Sequence, residues 1–314
     1  MNIPCLERLA EAKTVLIAGA GGGFDIFCGL PLYFSLRSAG KTVHLANLSS
    51  GALSFCDAEN PAPGLWRITP TTAATKYFPE MYLSRWISDR FGNTPIYSIL
   101  PSGAQQVALA YEWLARELGP DCIILVDGGT DSLMFGDEAG LATPEGDSVS
   151  LYAADRLQGI KEKILICLGF GVDSHHGICH AHFLENVARL STQDAYLGAW
   201  SLIRASEEFQ LYQEACEFVF ARLPQQPSIV NTSIIAAANG NFGDWHGTKR
   251  TEGSKLFINP LMALFWAFDL RAVAHQNLYL DRLGTTETIE EVALAIEAFR
   301  ESLPFTRPWT SIPC

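Results

Sequence analysis

The chain has 314 residues, 48% apolar and 18% charged, with 34 acidic against 22 basic side chains and a formal net charge of −12. That length allows one large or about two small domains, and the negative field repels nucleic-acid backbones and anionic membranes at long range. The longest apolar run, 261–268, is far short of the roughly 20 residues of a spanning helix.

Residues 1–8 carry neither the basic nor the apolar region of a secretion signal. Eight cysteines are scattered without a C-x-x-C pair, which fits a reducing compartment better than a disulfide framework. The expectation is a cytoplasmic protein with a small-molecule ligand, no nucleic-acid or membrane partner, and a homo-oligomer left open.

In chain order, one grammar repeats: an apolar β-run, a loop rich in Gly, Asp or Ser, then a helical pattern. Residues 14–18 lead into Gly19-Ala20-Gly21-Gly22-Gly23-Phe24-Asp25 and a helix over 27–38. The run 42–48 leads to Ser49-Ser50-Gly51; the less regular 52–75 and an apolar helical face over 77–90 form an excursion, spanning about 52–94. The run 95–100 precedes a helix over 104–118, and 122–126 leads to Asp127-Gly128-Gly129-Thr130-Asp131. The run 164–168 leads to a histidine-rich loop containing Asp173, His175 and His176. The run 228–237 leads to a loop holding Asn239, Asn241, Lys249, Arg250 and Lys255. Residues 288–300 form an amphipathic closing helix, and 302–314 an irregular tail. Strands apolar on both faces, alternating with helices, predict a single α/β domain over 1–314. Its fold is Rossmann-like and doubly wound, a mainly parallel sheet with helices on both faces. Such sheets bind ligands at the carboxyl ends of their strands.

The first loop lacks the third glycine and the distal acid of a dinucleotide fingerprint, and it lacks the G-K-[ST] of a P-loop. Its glycines still allow backbone N–H groups close to a ligand. Asp25 repels a bare phosphate by about 4 kcal/mol at ~4 Å near a protein surface, a repulsion offset by a cation, by protonation, or by aiming the Asp at sugar hydroxyls or a substrate amine. The alternative is a glycine turn with Asp25 capping the next helix. Six acids and no Lys or Arg occupy 127–147, a pattern suited to a hard divalent cation such as Mg²⁺. Asp127 and Asp131 are its candidate ligands, whereas Asp137, Glu138, Glu145 and Asp147 fit a solvated loop with a helix cap. His176 and His180 would share a face of a helix starting near Gly177. No H-E-x-x-H motif or cysteine pair supports zinc, so one histidine beside Asp173 as general acid or base is the simpler role. No G-x-S-x-G occurs for a serine nucleophile.

The sequence G-G-G-F-D, with V-D-G-G-T-D-S-L-x-x-G-D-E and L-A-T-P-E-x-D-S, resembles the uncharacterised family called domain of unknown function 1152, DUF1152. The resemblance implies an α/β protein with a nucleotide-type loop and carries no activity with it. Gly19-Ala20-Gly21 followed by Gly29-Leu30-Pro31 has a weaker likeness to the sirtuin and deoxyhypusine-synthase type of NAD-binding fold. The spacing here is longer and the zinc-binding cysteine pairs are absent.

Together these features predict an enzyme acting on a small nucleotide- or phosphate-bearing metabolite by metal-assisted hydrolysis or group transfer. Gly19, Gly21, Gly22, Gly23, Asp25, Gly128, Gly129, Asn239, Asn241, Lys249 and Arg250 would bind the ligand. Asp127, Asp131, Asp173, His175 and His176 would carry catalysis, with Mg²⁺ on Asp127 and Asp131 and a nucleotide or NAD as cofactor. Two alternatives are an NAD-consuming glycosyl or ADP-ribosyl transferase and a non-catalytic nucleotide sensor or assembly subunit.

Overall fold

The computed structural model describes residues 2–74, 77–254 and 256–312, the side chain of His175 excepted. Its strands are β1 (Thr14–Gly19), β2 (Thr42–Leu48), β3 (Glu59–Ala62), β4 (Leu65–Ile68), β5 (Ile96–Ile99), β6 (Cys122–Gly128), β7 (Glu162–Leu168), β8 (Tyr196–Ser201), β9 (Gly243–Asp244), β10 (Phe257–Ile258) and β11 (Leu264–Asp269). Its helices are α1 (Pro4–Glu11), α2 (Asp25–Cys28), α3 (Leu30–Ser38), α4 (Pro79–Phe91), α5 (Ala104–Leu118), α6 (Pro144–Arg156), α7 (His180–Ser191), α8 (Glu207–Phe220), α9 (Ile229–Ala238), α10 (Leu270–Gln276) and α11 (Ile289–Glu301).

Nine strands form one sheet in the order β3-β4-β5-β2-β1-β6-β7-β11-β8. The central five, β5-β2-β1-β6-β7, are parallel. From β1 the chain winds outward through β2 to β5, then restarts at β6 on the other side of β1. That reversal is the switch point at which doubly wound sheets open a crevice. Antiparallel pairs close both flanks, β3–β4 beside β5 and β11–β8 beside β7.

Alternation along β1 and β6 explains the two-sided core. Leu16, Ala18, Ile123 and Leu125 face a layer that includes residues of α5, α6, α10 and α11. Val15, Ile17, Ile124 and Val126 face α2, α3, α4 and α8. Buried on both faces, these strands show the near-continuous apolar runs of a parallel sheet.

Three expectations need correction. Among its described residues the excursion over 52–94 is helical in a short 3-10 turn, Leu53–Phe55, and in α4; between them lies the β3–β4 hairpin, with Gly64 at the turn in a left-handed conformation (φ +71°). The run at 228–237 is the helix α9, not a strand. Ser228 caps it by accepting from the Asn231 N–H, and the Thr232 and Ser233 hydroxyls bond back to carbonyls one turn earlier. In the histidine loop, Gly177 is left-handed (φ +91°), so the helix begins only at His180. The strands β8 and β11 fall outside the predicted grammar altogether.

The C-terminal tail has no regular element, yet it is fastened. The Arg307 guanidinium donates to Asp137 Oδ1, Glu138 Oε1, Glu185 Oε2 and Asn186 Oδ1 at 2.6–3.2 Å. Glu138 is completely buried and also accepts from the Phe135 and Gly136 N–H groups and from Asn186. Glu138 is therefore an anchor of the tail rather than part of a solvated loop. No helix among the described residues is long and apolar enough to cross a membrane.

Candidate functional site

A cavity of about 600 Å³ opens at the carboxyl edge, over the switch point between β1 and β6. Asp25 comes from the loop after β1, Asp127 from the end of β6, and Asp131 from just beyond it. Asp147 comes from the first turn of α6 and Asp173 from the loop after β7; all five line the cavity. Gly21, Gly22, Gly23, Gly128, His176 and Arg250 line it too. The start of α9, at Ser228, Ile229 and Val230, forms part of the facing wall.

The glycines make room for carboxylates. A Cβ on Gly21 would lie 2.7 Å from Asp147 Oδ2, one on Gly128 2.7 Å from Asp25 Oδ1, and one on Gly129 2.6 Å from Asp173 Oδ2. Gly22 is left-handed as well (φ +103°), as the tight loop requires. Asp25 does not cap α2: the cap position is Phe24, and Asp25 Oδ2 instead accepts from the Gly21 N–H at 2.6 Å, closing the loop on itself.

Hydrogen bonds orient the other acids. Asp127 Oδ2 accepts from the Ser132 hydroxyl at 2.6 Å and the Ser132 N–H at 3.1 Å. Asp173 Oδ2 accepts from the Thr130 N–H at 2.7 Å, and Asp131 Oδ2 takes longer 3.4 Å contacts from Thr143. Asp147 differs: its Oδ1 is buried and has no hydrogen-bond partner among the described residues. Ligand oxygens of Asp25, Asp127 and Asp147 all lie within 4.8 Å of one another, an arrangement that could hold a metal ion.

No described Lys or Arg forms an ion pair with any of the five. Desolvation pushes Asp25 up to about 7, opposed by the Gly21 N–H and reinforced by the charge of Asp131. Desolvation likewise raises Asp131 to about 6, against the Thr143 donor. Asp127, Asp147 and Asp173 are held well above the usual carboxylate range by burial, and Asp131 is the strongest charged neighbour of each. Carboxyls poised near neutrality beside a cation-sized gap can bind a metal or exchange protons.

Among the predicted site residues, the cavity gathers Gly21, Gly22, Gly23, Asp25, Asp127, Gly128, Asp131, Asp173, His176 and Arg250. Gly129 backs Asp173 from outside the lining, and Gly19 packs against Asn47 Oδ1 between β1 and β2. Asn239 and Asn241 lie elsewhere because α9 is a helix: Asn239 ends it and donates to Gln213 Oε1. Lys249 is exposed and outside the lining. The side chain of His175, and Lys255, lie outside the described residues. Asp147, assigned by sequence to a solvated loop, is the main omission. Its spacing after the Asp-Gly-Gly motif gave one usable signal: it follows Pro144 in the first turn of a helix, where an acid suits the helix dipole.

The chain belongs to the family described as Protein of unknown function (DUF1152), whose model matches residues 52–300. Asp127, Asp131, Asp147 and Asp173 lie inside the matched stretch, and the first glycine loop precedes it. No curated protein and no solved structure matches the chain.

Proposed function

We propose that this DUF1152 member is a divalent-cation-dependent enzyme that hydrolyses, or transfers a group from, a small phosphate-bearing metabolite such as a nucleotide. The observation that carries the reading is the Asp25–Asp127–Asp147 group, with ligand oxygens within 4.8 Å and the buried, unpartnered Asp147 Oδ1 among its carboxylates. Mg²⁺ is typically held by one or two carboxylates plus substrate oxygens and water. A cation here would offset the like charges and give an anionic ligand an attractive partner in an acidic cavity. The cavity volume is that of a small-molecule site. Arg250 at the rim supports the anionic end of the ligand. The reading includes a reducing, cytoplasmic setting, supported by seven described cysteines that are all free thiols.

The test is a panel of phosphorylated metabolites, nucleotides and NAD, assayed with Mg²⁺ or Mn²⁺ on the wild type and Asp127→Asn. The expected result is cation-dependent product formation that Asp127→Asn lowers at least ~100-fold, the scale of losing an essential electrostatic group. Nicotinamide release from NAD without a cation would transfer the site to NAD chemistry. A ligand-raised melting temperature with no product under any metal would make it a sensor.

A further inference from the structure

The glycine loop spends its backbone donors unevenly. The Ala20 N–H donates to the Val126 carbonyl at 2.9 Å, the Gly21 N–H to Asp25 Oδ2 at 2.6 Å, and the Asp25 N–H to the Gly22 carbonyl at 3.2 Å. The Gly22 N–H favours the Asp25 charge as well. The bond from Asp25 to Gly22 closes a turn ahead of α2, with Gly23 (φ +60°) and Phe24 (φ −104°) in its middle. Among the described residues, none accepts from the Gly23 or Phe24 N–H, and both residues line the cavity. A Cβ on Gly23 would meet nothing within 4 Å, so that side of the turn is open.

The carbonyls of these two residues are held from behind. Asn47, near the end of β2 and completely buried, donates from Nδ2 to the Gly23 carbonyl at 3.1 Å and to Glu80 Oε1 at 2.7 Å. Asn231, buried in α9, donates from Nδ2 to the Phe24 carbonyl at 3.2 Å. In a trans peptide the N–H points opposite to the carbonyl it is bonded to. Fixing the Gly23 carbonyl on Asn47 therefore turns the Phe24 N–H away from β2. The clamp has one orientation. Turning the Asn47 amide over would set its oxygen against two acceptors, the Gly23 carbonyl and Glu80 Oε1. Glu80 lies in the first turn of α4 and is completely buried. Burial raises its carboxyl, opposed by the Asn47 and Ser49 side chains. Desolvating an acid is costly, and what this one secures is the direction of a single amide.

We propose that Asn47, locked by Glu80, is a positioning residue for anion binding: it fixes the Gly23–Phe24 peptide so that the Phe24 N–H donates to a phosphate oxygen of the substrate. This rests on the cation-dependent, phosphate-binding reading above and specifies it. A fixed peptide dipole attracts an anion and needs no reorganisation as the ligand arrives. In the sheet Asn47 stands on the β2 side of β1 and Asp127 on the β6 side. The peptide donor and the carboxylates therefore act on the ligand from different strands, and a change at Asn47 separates anion binding from cation binding.

The experiment titrates the full-length chain calorimetrically, first with Mg²⁺ alone and then, when loaded with Mg²⁺, with inorganic phosphate. Asn47→Ala should weaken phosphate binding about ten- to hundredfold, the range for losing a hydrogen bond to a charged group. Its Mg²⁺ affinity should stay within about threefold of the wild type. In the wild type, phosphate should move the Phe24 amide proton downfield in nitrogen-edited NMR spectra, a measurement that decides the matter if Asn47→Ala fails to fold. Unchanged phosphate affinity in folded Asn47→Ala, a parallel loss of Mg²⁺ and phosphate, or a Phe24 amide indifferent to saturating phosphate would overturn the positioning role. So would a wild type that takes up Mg²⁺ and no phosphate; each of these leaves cation binding intact. No Mg²⁺ bound by the wild type would overturn both.

Discussion

Replacing Asp147 by Asn should make the metal-free protein more stable while removing its cation site. Asp147 shares a 4.8 Å neighbourhood with Asp25 and Asp127. Two unit charges at that separation repel by about 3.5 kcal/mol at an effective dielectric of ~20, so two such neighbours set an upper bound of about 7 kcal/mol. The wild type relieves much of this by taking up protons, at about 1.4 kcal/mol per pH unit. The net gain for Asp147→Asn at pH 8 is therefore about 1–3 kcal/mol, within the range seen when buried ionic groups are replaced by neutral ones. That corresponds to a melting temperature higher by at most roughly 2–12 °C, from the 2–4 °C per kcal/mol of chains of about 150–250 residues. The amide also offers a donor to the neighbouring carboxylate oxygens. The assay is thermal and urea unfolding in EDTA at pH 8 and pH 5, alongside Mn²⁺ titration. The gain should shrink at pH 5, because burial raises the Asp147 carboxyl and a lower pH leaves less of its charge to remove, and Mn²⁺ affinity should fall at least tenfold. A loss of stability at pH 8, or unchanged Mn²⁺ affinity, would refute the reasoning.

The metal-free wild type should itself lose stability as pH rises. Asp25 and Asp131 go from an ordinary 3.8 up to about 7 and about 6 on folding. The folded state thus binds more protons between those values, and the stabilisation present below pH 4 is lost as pH climbs through 6 to 7. Differential scanning calorimetry in EDTA should give a higher melting temperature at pH 5.5 than at pH 8, with Mg²⁺ restoring much of the difference at pH 8; a flat or rising profile would contradict this. Separately, Arg307→Ala should destabilise by about 2–4 kcal/mol, because it leaves Glu138 buried without its cation. Three neutral donors remain on Glu138 at 2.7–2.8 Å, so Glu138→Gln in the same chain should recover part of the loss. Denaturant unfolding of the double-mutant cycle measures both, and additive effects would show that the two residues do not couple.

The sequence made the middle of the sheet legible and its flanks obscure. The strands β1, β2, β5, β6 and β7 are short apolar runs punctuated by Gly, Asp or Ser, a pattern forced by burial on two faces. The antiparallel β8 and β11 lack that punctuation: β11 continues from the Pro260–Ala263 turn and runs directly into α10, capped by its own Asp269. The helix α9 is rich in β-branched residues, and periodicity alone does not separate such a segment from a buried strand. Its misreading displaced Asn239 and Asn241 to the wrong edge, while its true N-terminal residues border the cavity. The acids were harder for a different reason. Whether a carboxylate is solvated or buried depends on partners distant in sequence: Glu138 meets Arg307 169 positions away, and Asp147 packs on Gly21. Asp25, Asp127 and Asp173 could be found because each ends or follows a strand, where topology alone fixes the position.

The pairing of β1 with β6 joins residues 15–19 to 122–126, and it has a kinetic consequence. Asp25 cannot approach Asp127 until that non-local contact closes, and Asp173 joins only when β7 is added beyond β6. Local pairing of β1 with β2 can precede both steps, since long loops close late. Crowding of the carboxylates therefore begins only once that non-local contact has closed. Interactions formed after the barrier act on the unfolding rate. Neutralising one acid of the pocket should therefore change the unfolding rate more than the folding rate, which stopped-flow measurements in denaturant would read directly.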